Sequence, residues 1–280
     1  MRYAVPLLSA ATIALARVDI MLPLYTPPGA PLLPGHKPFN GPTNSSDLGF
    51  TLPPTLRYST PCPTPRPIGY VSTAYATGVR NRTEAAIKAD IDNWASWQTQ
   101  TSWSGPGANI SINGIWFDET SGDAADFAFY QRLTAHAGQA FAGRQYITVL
   151  NIGVRMDAAY ERQMFDLASA VVTRETCWQE PSTANAVECP PTYTPFDAAT
   201  LQNSSGLPVN ADLYPKASVI VHYVQPPREL DGAMLAEQIR QTVAYGFHSA
   251  YFTSAKLWET TTLGPATVGA VAQAMADAQV

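Results

Sequence analysis

The stretch INGIWFDET, residues 112–120, ends a short apolar run in two adjacent carboxylates. The bulky apolar side chains at its centre suit a buried, pleated strand. Asp118 and Glu119 instead require water or a polar cleft. A carboxylate at the carboxyl end of a buried parallel strand is typical of the active-site face of an α/β barrel. A strand that simply leaves the core for solvent would give the same pattern, so the motif alone remains a weak indication of a site.

Strand-like and helix-like segments alternate along the rest of the chain. This alternation predicts βαβ units and a parallel sheet. The predicted strands cover 18–25, 68–73, 112–117, 146–150, 169–173, 218–223 and 250–253, and the predicted helices cover 83–97, 124–141, 157–167, 230–245 and 266–276.

The predicted fold class is α/β, a TIM-type (β/α)8 barrel formed by a single domain over residues 17–280. Seven strands are one fewer than such a barrel needs, while a chain of 280 residues is long enough for one. The Pro-rich segment 26–67 holds about half of the 24 prolines, and proline suits neither a central strand nor a helix interior. We expect an irregular segment there and an incomplete barrel around the second strand. An open doubly wound sheet is the alternative, although no G-x-G-x-x-G or P-loop pattern follows the first strand.

Composition favours a secreted protein that does not bind nucleic acid. The net charge is −5 and no Lys/Arg run is present, whereas nucleic-acid binding needs a basic face. Residues 1–16 resemble a signal peptide, with Arg2, an apolar stretch and the cleavage motif Ala14-Leu15-Ala16. An ordinary first strand or helix is the alternative. This stretch is too short to span a bilayer, so we expect an extracellular or cell-wall-associated protein without a membrane span.

Two further features accompany this prediction. Cys177 and Cys189 bracket a loop and could close it as a disulfide, which leaves Cys62 free or paired outside the chain. The four histidines are too dispersed for a local metal motif, and no metal or cofactor is predicted. Four N-x-S/T sequons mark candidate N-glycosylation sites, at Asn44, Asn81, Asn109 and Asn203.

Polar side chains follow three successive predicted strands. Asp118 and Glu119 end one strand, Asn151 ends the next, and Glu175 lies just beyond the third, after Arg174. The carboxyl ends of neighbouring parallel strands share one rim, which would bring the carboxylates together. Two carboxyl groups flanking a bond are the machinery of glycoside hydrolysis. For Glu175 the alternative is a surface charge paired with Arg174, and for Asn151 it is a turn-forming role.

Candidate substrate-binding residues lie near the same strand ends. Tyr25, Tyr70 and Tyr75 have rings that can stack on sugars, although aromatic residues near barrel strands are more often part of the core. Asn151 offers an amide, and His222 lies within a predicted strand, where a buried, satisfied imidazole is the alternative.

Several dispersed motifs together resemble the spherulation-specific family 4 (spherulin-4-like) proteins, which include glycoside hydrolase family 135. Residues 18–25 resemble the family's opening strand ending in Pro-Leu-Tyr, and residues 69–75 resemble its GYV-T-Y strand. Residues 114–120 are similar to its GIFFDE strand, and residues 151–153 to its Asn-Pro-Gly turn. The resemblance covers roughly residues 18–28 and 66–275.

The resemblance implies a secreted fungal (β/α)8 glycosidase that cleaves α-1,4-linked N-acetylgalactosamine within galactosaminogalactan, a cell-wall and biofilm polysaccharide. It implies Asp118 as nucleophile, Glu175 as acid/base and Glu119 as a neighbour that orients substrate or tunes a pKa. It implies no cofactor, and we expect a monomer. The family's helix, second strand and helix between Tyr25 and Arg66 are represented here only by a faint similarity at residues 39–42. A deletion or a mis-spliced exon would explain that departure.

Two other functions compete with this one. The first is a non-catalytic wall or spore-coat protein that binds polysaccharide through the same groove. The second is an enzyme that acts on a different α-linked amino-sugar glycan.

Overall fold

The computed structural model describes residues 19–20, 68–76, 82–97, 112–154, 156–178, 196–201, 207–222, 224, 232–253 and 267–278. Seven parallel strands form one sheet in these ranges. They are β1 (Asp19–Ile20), β2 (Gly69–Ser72), β3 (Gly114–Asp118), β4 (Ile147–Asn151), β5 (Ala170–Cys177), β6 (Ala217–His222) and β7 (Ser249–Phe252). The helices are α1 (Glu84–Ser96), α2 (Phe127–Ala140), α3 (Glu161–Asp166), α4 (Gly232–Ala244) and α5 (Val268–Ala278).

The strand order is β1-β7-β6-β5-β4-β3-β2. Strands β2 to β7 therefore lie in chain order, and the first strand pairs with the last, as in a barrel. A doubly wound sheet reverses its strand order in the middle, and no such reversal occurs here. The α/β class and the parallel sheet are confirmed. Among the described residues β1 and β2 do not pair, so the sheet is not closed, and the chain between these two strands, with the Pro-rich segment, lies outside the described ranges.

Side chains alternate between two buried faces of the sheet, as expected for a parallel sheet covered on both sides. One face packs against the helices; there Phe117, Leu150 and Val219 join the helical residues in one cluster. The opposite face carries a smaller cluster, made of Trp116, Val149, Ala170, Val172, Ile220 and Tyr251, with Ile68 and Tyr70 packed against it.

Helix α1 shows how local sequence sets this arrangement. Thr83 caps it by accepting a hydrogen bond from the Ala86 amide at 3.2 Å. Buried residues Ile87, Ile91 and Trp94 follow at helical spacing. Trp94 packs directly over Gly69, where an added Cβ would lie 2.3 Å from the indole ring. A side chain at residue 69 would therefore push the helix away from β2.

Two predicted element boundaries are wrong. Helix α3 spans only Glu161–Asp166 rather than residues 157–167. Strand β5 runs on to Cys177 rather than ending at Thr173, so Arg174 and Glu175 lie inside the strand. The pairing of β5 with β6 shifts between Val172 and Arg174, which marks a β-bulge. One extra residue in a strand reverses the face to which the following side chains point.

Candidate functional site

The bulge places Glu175 on the same face as the other polar strand ends. Glu175 is in register with Ile220, a member of the smaller cluster, whereas Arg174 is in register with Val219 of the helix-facing cluster. Paired residues of neighbouring strands point to the same side of a sheet. If the same sequence paired one-to-one with β6, without a bulge, Glu175 would be in register with Val221 and would face the helices. The strand irregularity therefore turns this carboxylate toward Asp118.

Asp118 and Glu175 are joined through the side chain of Asn151. The amide nitrogen of Asn151 donates to Oδ1 of Asp118 at 2.6 Å and to Oε2 of Glu175 at 2.9 Å. The residues come from β3, β4 and β5, three adjacent strands. The structure thus brings together three of the residues singled out from sequence. Both amide hydrogens are used in these two bonds.

Each carboxylate has a second hydrogen-bond donor on its far side. Tyr70 donates its hydroxyl to Oδ2 of Asp118 at 2.8 Å, and Nε2 of His222 lies 2.7 Å from Oε1 of Glu175. These contacts make a continuous chain from β2 to β6, in the order Tyr70, Asp118, Asn151, Glu175 and His222.

The pKa values of the two carboxyl groups move in opposite directions. Burial raises the pKa of Asp118, and the charge of Glu175 adds to this rise against the hydrogen bonds from Tyr70 and Asn151. Burial also raises the pKa of Glu175. The hydrogen bond and charge of His222 and the hydrogen bond from Asn151 outweigh it, so the pKa of Glu175 lies below its ordinary value. Two carboxyl groups whose environments separate their pKa values are typical of an acid and its anionic partner.

Glu119 lies apart from this chain. Its carboxylate accepts a hydrogen bond from the Ser72 hydroxyl at 2.5 Å. Its backbone is left-handed, with φ of 52°, a conformation in which a non-glycine residue is strained. The strained backbone turns the Glu119 side chain toward β2, so the two adjacent carboxylates of the sequence face different partners.

Buried hydroxyl groups fix the backbone of this turn. The Thr73 hydroxyl contacts the carbonyl oxygens of Asp118 and Glu119 at 3.0 and 2.7 Å. It also lies 3.3 Å from the hydroxyl of Tyr130, which accepts from the Ser121 amide at 2.6 Å. Helix α2 is thereby tied to the end of β3. Sequence reasoning missed Thr73 and Tyr130, although the spacing of Tyr130 from Leu133 and Ala137 places it on the buried side of the helix.

Tyr75 is the exposed aromatic residue of the rim. It is 53% exposed and belongs to a turn, Ala74–Ala76, in which all three residues have positive φ. Its amide donates to the Glu119 carbonyl at 2.7 Å, so two strained turns support each other. The exposed side chain of Tyr75 thus belongs to a turn whose backbone is bonded to the end of β3. His222, in contrast, is 1% exposed and Asn151 is 6% exposed, so both lie behind the carboxylates.

Gly153 packs closely against the side chain of Glu175. It has φ of 69°, and an added Cβ would lie 3.3 Å from Cβ of Glu175 and 3.7 Å from Oδ1 of Asn151. Its amide donates to Val172 and its carbonyl accepts from the Glu175 amide. Glycine is required here by both the backbone angle and the close approach.

Other predicted features are only partly covered. Cys177 is disulfide-bonded; its predicted partner, Cys189, lies outside the described residues, as does Cys62. In the described part of the chain, no group of acidic, histidine or cysteine side chains could hold a metal ion, and no helix has the length and apolarity of a membrane span. Also outside the described ranges are the signal-peptide segment, Tyr25 and the sequons at Asn44, Asn81, Asn109 and Asn203.

Comparison with known proteins gives a family match and a solved structure of similar fold. A profile of spherulation-specific family 4 matches residues 38–272. A crystal structure of Aspergillus clavatus Sph3 in complex with GalNAc superposes with a TM-score of 0.52 at 24% sequence identity, covering 75% of this chain and 72% of that one. No curated protein matches the sequence.

Proposed function

The chain belongs to spherulation-specific family 4, and from that premise we propose that it is a secreted, endo-acting glycoside hydrolase. Its proposed substrate is α-1,4-linked N-acetylgalactosamine in galactosaminogalactan-type polysaccharide of cell walls or biofilms. Sph3, which has a similar fold, was crystallised with GalNAc, and this supports an amino sugar as the ligand. The observation that carries the proposal is that Asp118 and Glu175 bond the same amide nitrogen.

A proton on one carboxyl and a charge on the other suit this chemistry. A glycosidase needs one acid to protonate the leaving oxygen and one carboxylate to act at the anomeric carbon or on water. The pKa of Asp118 is raised and the pKa of Glu175 is lowered, so when the pair holds a single proton, the proton favours Asp118 and the charge favours Glu175. This assignment makes Asp118 the acid and Glu175 the anionic carboxylate, whereas the family resemblance implies Asp118 as nucleophile and Glu175 as acid/base. Mass-spectrometric identification of the residue labelled by a mechanism-based fluoro-sugar distinguishes the two assignments.

The separation of the carboxyl groups supports retention of configuration. Retaining enzymes place them about 5–5.5 Å apart and inverting enzymes about 6.5–9.5 Å. The facing oxygens of Asp118 and Glu175 lie 2.6 and 2.9 Å from one nitrogen, so they are closer together than the inverting range. Proton NMR of freshly released reducing ends should show the α-anomer first. Initial release of the β-anomer would contradict retention.

The exposed ring of Tyr75 supplies a surface on which a sugar can stack. We propose Tyr75 as a substrate-binding residue, with Tyr70 contacting substrate only at its hydroxyl edge. Tyr75→Ala should raise KM while Tyr75→Phe keeps it near the wild-type value, because stacking needs the ring and not the hydroxyl. Equal KM values for the two variants would contradict the stacking role.

The substrate is tested with a panel of defined glycans. The protein should release a ladder of oligosaccharides from α-1,4-linked N-acetylgalactosamine polymer and leave deacetylated polymer, chitin and α-glucan intact. If products were released only from a different amino-sugar polymer, the protein would still be a glycoside hydrolase, but the proposed substrate would be wrong. A ladder rather than a single monosaccharide identifies endo-action.

A second candidate is a non-catalytic cell-wall or spore-coat protein that binds polysaccharide. The Pro-rich sequence of residues 26–67 favours it, because proline suits neither a central strand nor a helix interior and a rim without those elements would offer fewer contacts to hold a transition state. This candidate predicts that the protein sediments with the polymer and that long incubation releases no products.

We further propose that the protein is extracellular, with residues 1–16 removed, and that it acts as a monomer on polysaccharide without a nucleic-acid partner. Amino-terminal sequencing of the protein from culture medium tests removal of the leader. Glycosidase treatment followed by mass spectrometry tests glycosylation at the four sequons. Recovery of the protein only within cells would contradict secretion.

A further inference from the structure

Asn151 lies at the centre of the hydrogen-bond chain. It is the last residue of β4, between the strands that carry Asp118 and Glu175. Both hydrogens of its amide nitrogen are engaged by these carboxylates, at 2.6 and 2.9 Å. An amide nitrogen has two hydrogens, so none remains for a sugar. The geometry is that of a bridge between two acids.

The rest of the Asn151 side chain is enclosed. The residue is 6% exposed, and its Oδ1 is buried with no hydrogen-bond partner among the described residues. Gly153 approaches this oxygen closely, and the Asn151 carbonyl accepts from the Thr120 amide at 3.0 Å. The described residues therefore leave little of the Asn151 amide exposed to a substrate.

We propose that Asn151 is a positioning residue that fixes the separation of Asp118 and Glu175 and does not contact the sugar. Two like charges at this distance repel each other, and a shared donor offsets the repulsion. Among the described residues, the titratable groups that bond to one another around the bridge are Tyr70 from β2, the two bridged carboxyl groups and His222 from β6. Glu119 instead accepts from Ser72. This inference rests on the proposed hydrolase function for its kinetic test and is independent of it for its spectroscopic test.

The kinetic test compares Asn151→Ala with the wild-type protein on the polymer. We expect kcat to fall about 100-fold because a displaced carboxylate loses its reactive alignment, while KM changes less than twofold. The matched control is Asn210→Ala, which removes another amide donor to a buried carboxylate, that of Glu161. The control should keep kcat near the wild-type value. A rise in KM with kcat unchanged would make Asn151 a substrate contact and overturn the proposal.

The second test does not require activity. Carboxyl carbons of Asp and Glu, labelled with ¹³C, are titrated by NMR in the wild type, in Asn151→Ala and in Asn210→Ala. The midpoints of Asp118 and Glu175 should both move upward in Asn151→Ala only, because each loses a donor that favours its charged form. Unmoved midpoints would overturn the bridge. Wild-type inactivity with shifted midpoints would reject the proposed function and keep the bridge.

A shape-preserving variant covers the case in which Asn151→Ala does not fold. Asn151→Asp has nearly the same volume but replaces the donors with a third carboxyl group. We expect the Asp118 and Glu175 midpoints to rise in this variant also, because repulsion replaces bridging. Midpoints equal to those of the wild type would overturn the proposal.

Discussion

Nε2 of His222 lies 2.7 Å from Oε1 of Glu175, and the two side chains are only 2% and 12% exposed. The imidazole is therefore buried against the carboxylate, at the end of β6. Nδ1 of the same ring is buried without a hydrogen-bond partner in the described part of the chain. The contact with Glu175 is thus the polar interaction that holds the ring, and it is a main reason why that carboxyl stays charged despite burial.

Removing the imidazole of His222 should raise the pKa of Glu175. In His222→Ala, burial is opposed only by the Asn151 amide, so the pKa of Glu175 rises and the acid limb of the pH–activity profile moves to higher pH. The control is His136→Ala, which removes a ring that is 25% exposed and bonded to Asp92 and should leave the profile unchanged. An acid limb at the same pH in His222→Ala would contradict the role of the imidazole.

Replacing Asp118 should stabilise the fold at neutral pH. The folded-state pKa of Asp118 is raised above its ordinary value of 3.8, so its favourable contribution is present below that value and is lost as pH rises through the folded pKa. Asp118→Asn removes the buried charge, and its new amide can donate to the Tyr70 oxygen, which can accept as well as donate. We therefore expect the free energy of unfolding at pH 7 to rise by about 1 kcal/mol. Denaturant unfolding at pH 7 and pH 3 measures this change. An increase in the free energy of unfolding that is larger at pH 3 than at pH 7 would contradict the raised pKa of Asp118.

Replacing Glu175 should have the opposite effect. Its folded-state pKa is lowered, so its contribution to stability is present above the ordinary value and is lost as pH falls through the folded pKa. In Glu175→Gln the new amide would meet a donor, either the Asn151 amide or the His222 imidazole, and we expect a loss of about 1–3 kcal/mol at pH 7. Equal stability of Asp118→Asn and Glu175→Gln would show that the two environments do not differ.

The left-handed turn after β2 should tolerate glycine better than alanine. Ala76 has φ of 60°, where a Cβ is unfavourable by about 1–2 kcal/mol. Ala76→Gly should therefore raise the free energy of unfolding by about 0.5–1 kcal/mol, after the entropy of the more flexible unfolded chain is included. Ala135→Gly, at an exposed position within α2, should lower it by about 1 kcal/mol. Destabilisation by both changes would contradict the strained turn.

Much of the fold could be predicted from the sequence because hydrophobic patterning and helix signals are local. The alternation around Trp116 and the helix-starting Thr83 each indicate their element without knowledge of the rest of the chain. The clustering of Asp118, Asn151 and Glu175 also followed from a general rule, that the carboxyl ends of parallel strands meet at one edge of a sheet.

The remaining features depend on contacts between distant segments. The bulge in β5 arises from the pairing of β5 with β6, and the local sequence Val-Val-Thr-Arg does not predict it. The split between Asp118 and Glu119 arises from a left-handed backbone that Thr73 and Tyr130 hold in place from other elements. The pKa difference between the two acids depends on His222, which lies 47 residues from Glu175 in the chain.

The most direct measurement is the rate of new reducing ends from galactosaminogalactan with the wild type, Asp118→Asn, Glu175→Gln and the exposed control Asp212→Asn. Asp212 pairs only with surface Arg162 among the described residues. We expect the wild type and Asp212→Asn to release products at similar rates. Asp118→Asn and Glu175→Gln should each lose at least 1,000-fold in kcat/KM. Equal rates from all four proteins would contradict the paired-carboxylate site, and bound polymer without products from the wild type would contradict catalysis itself.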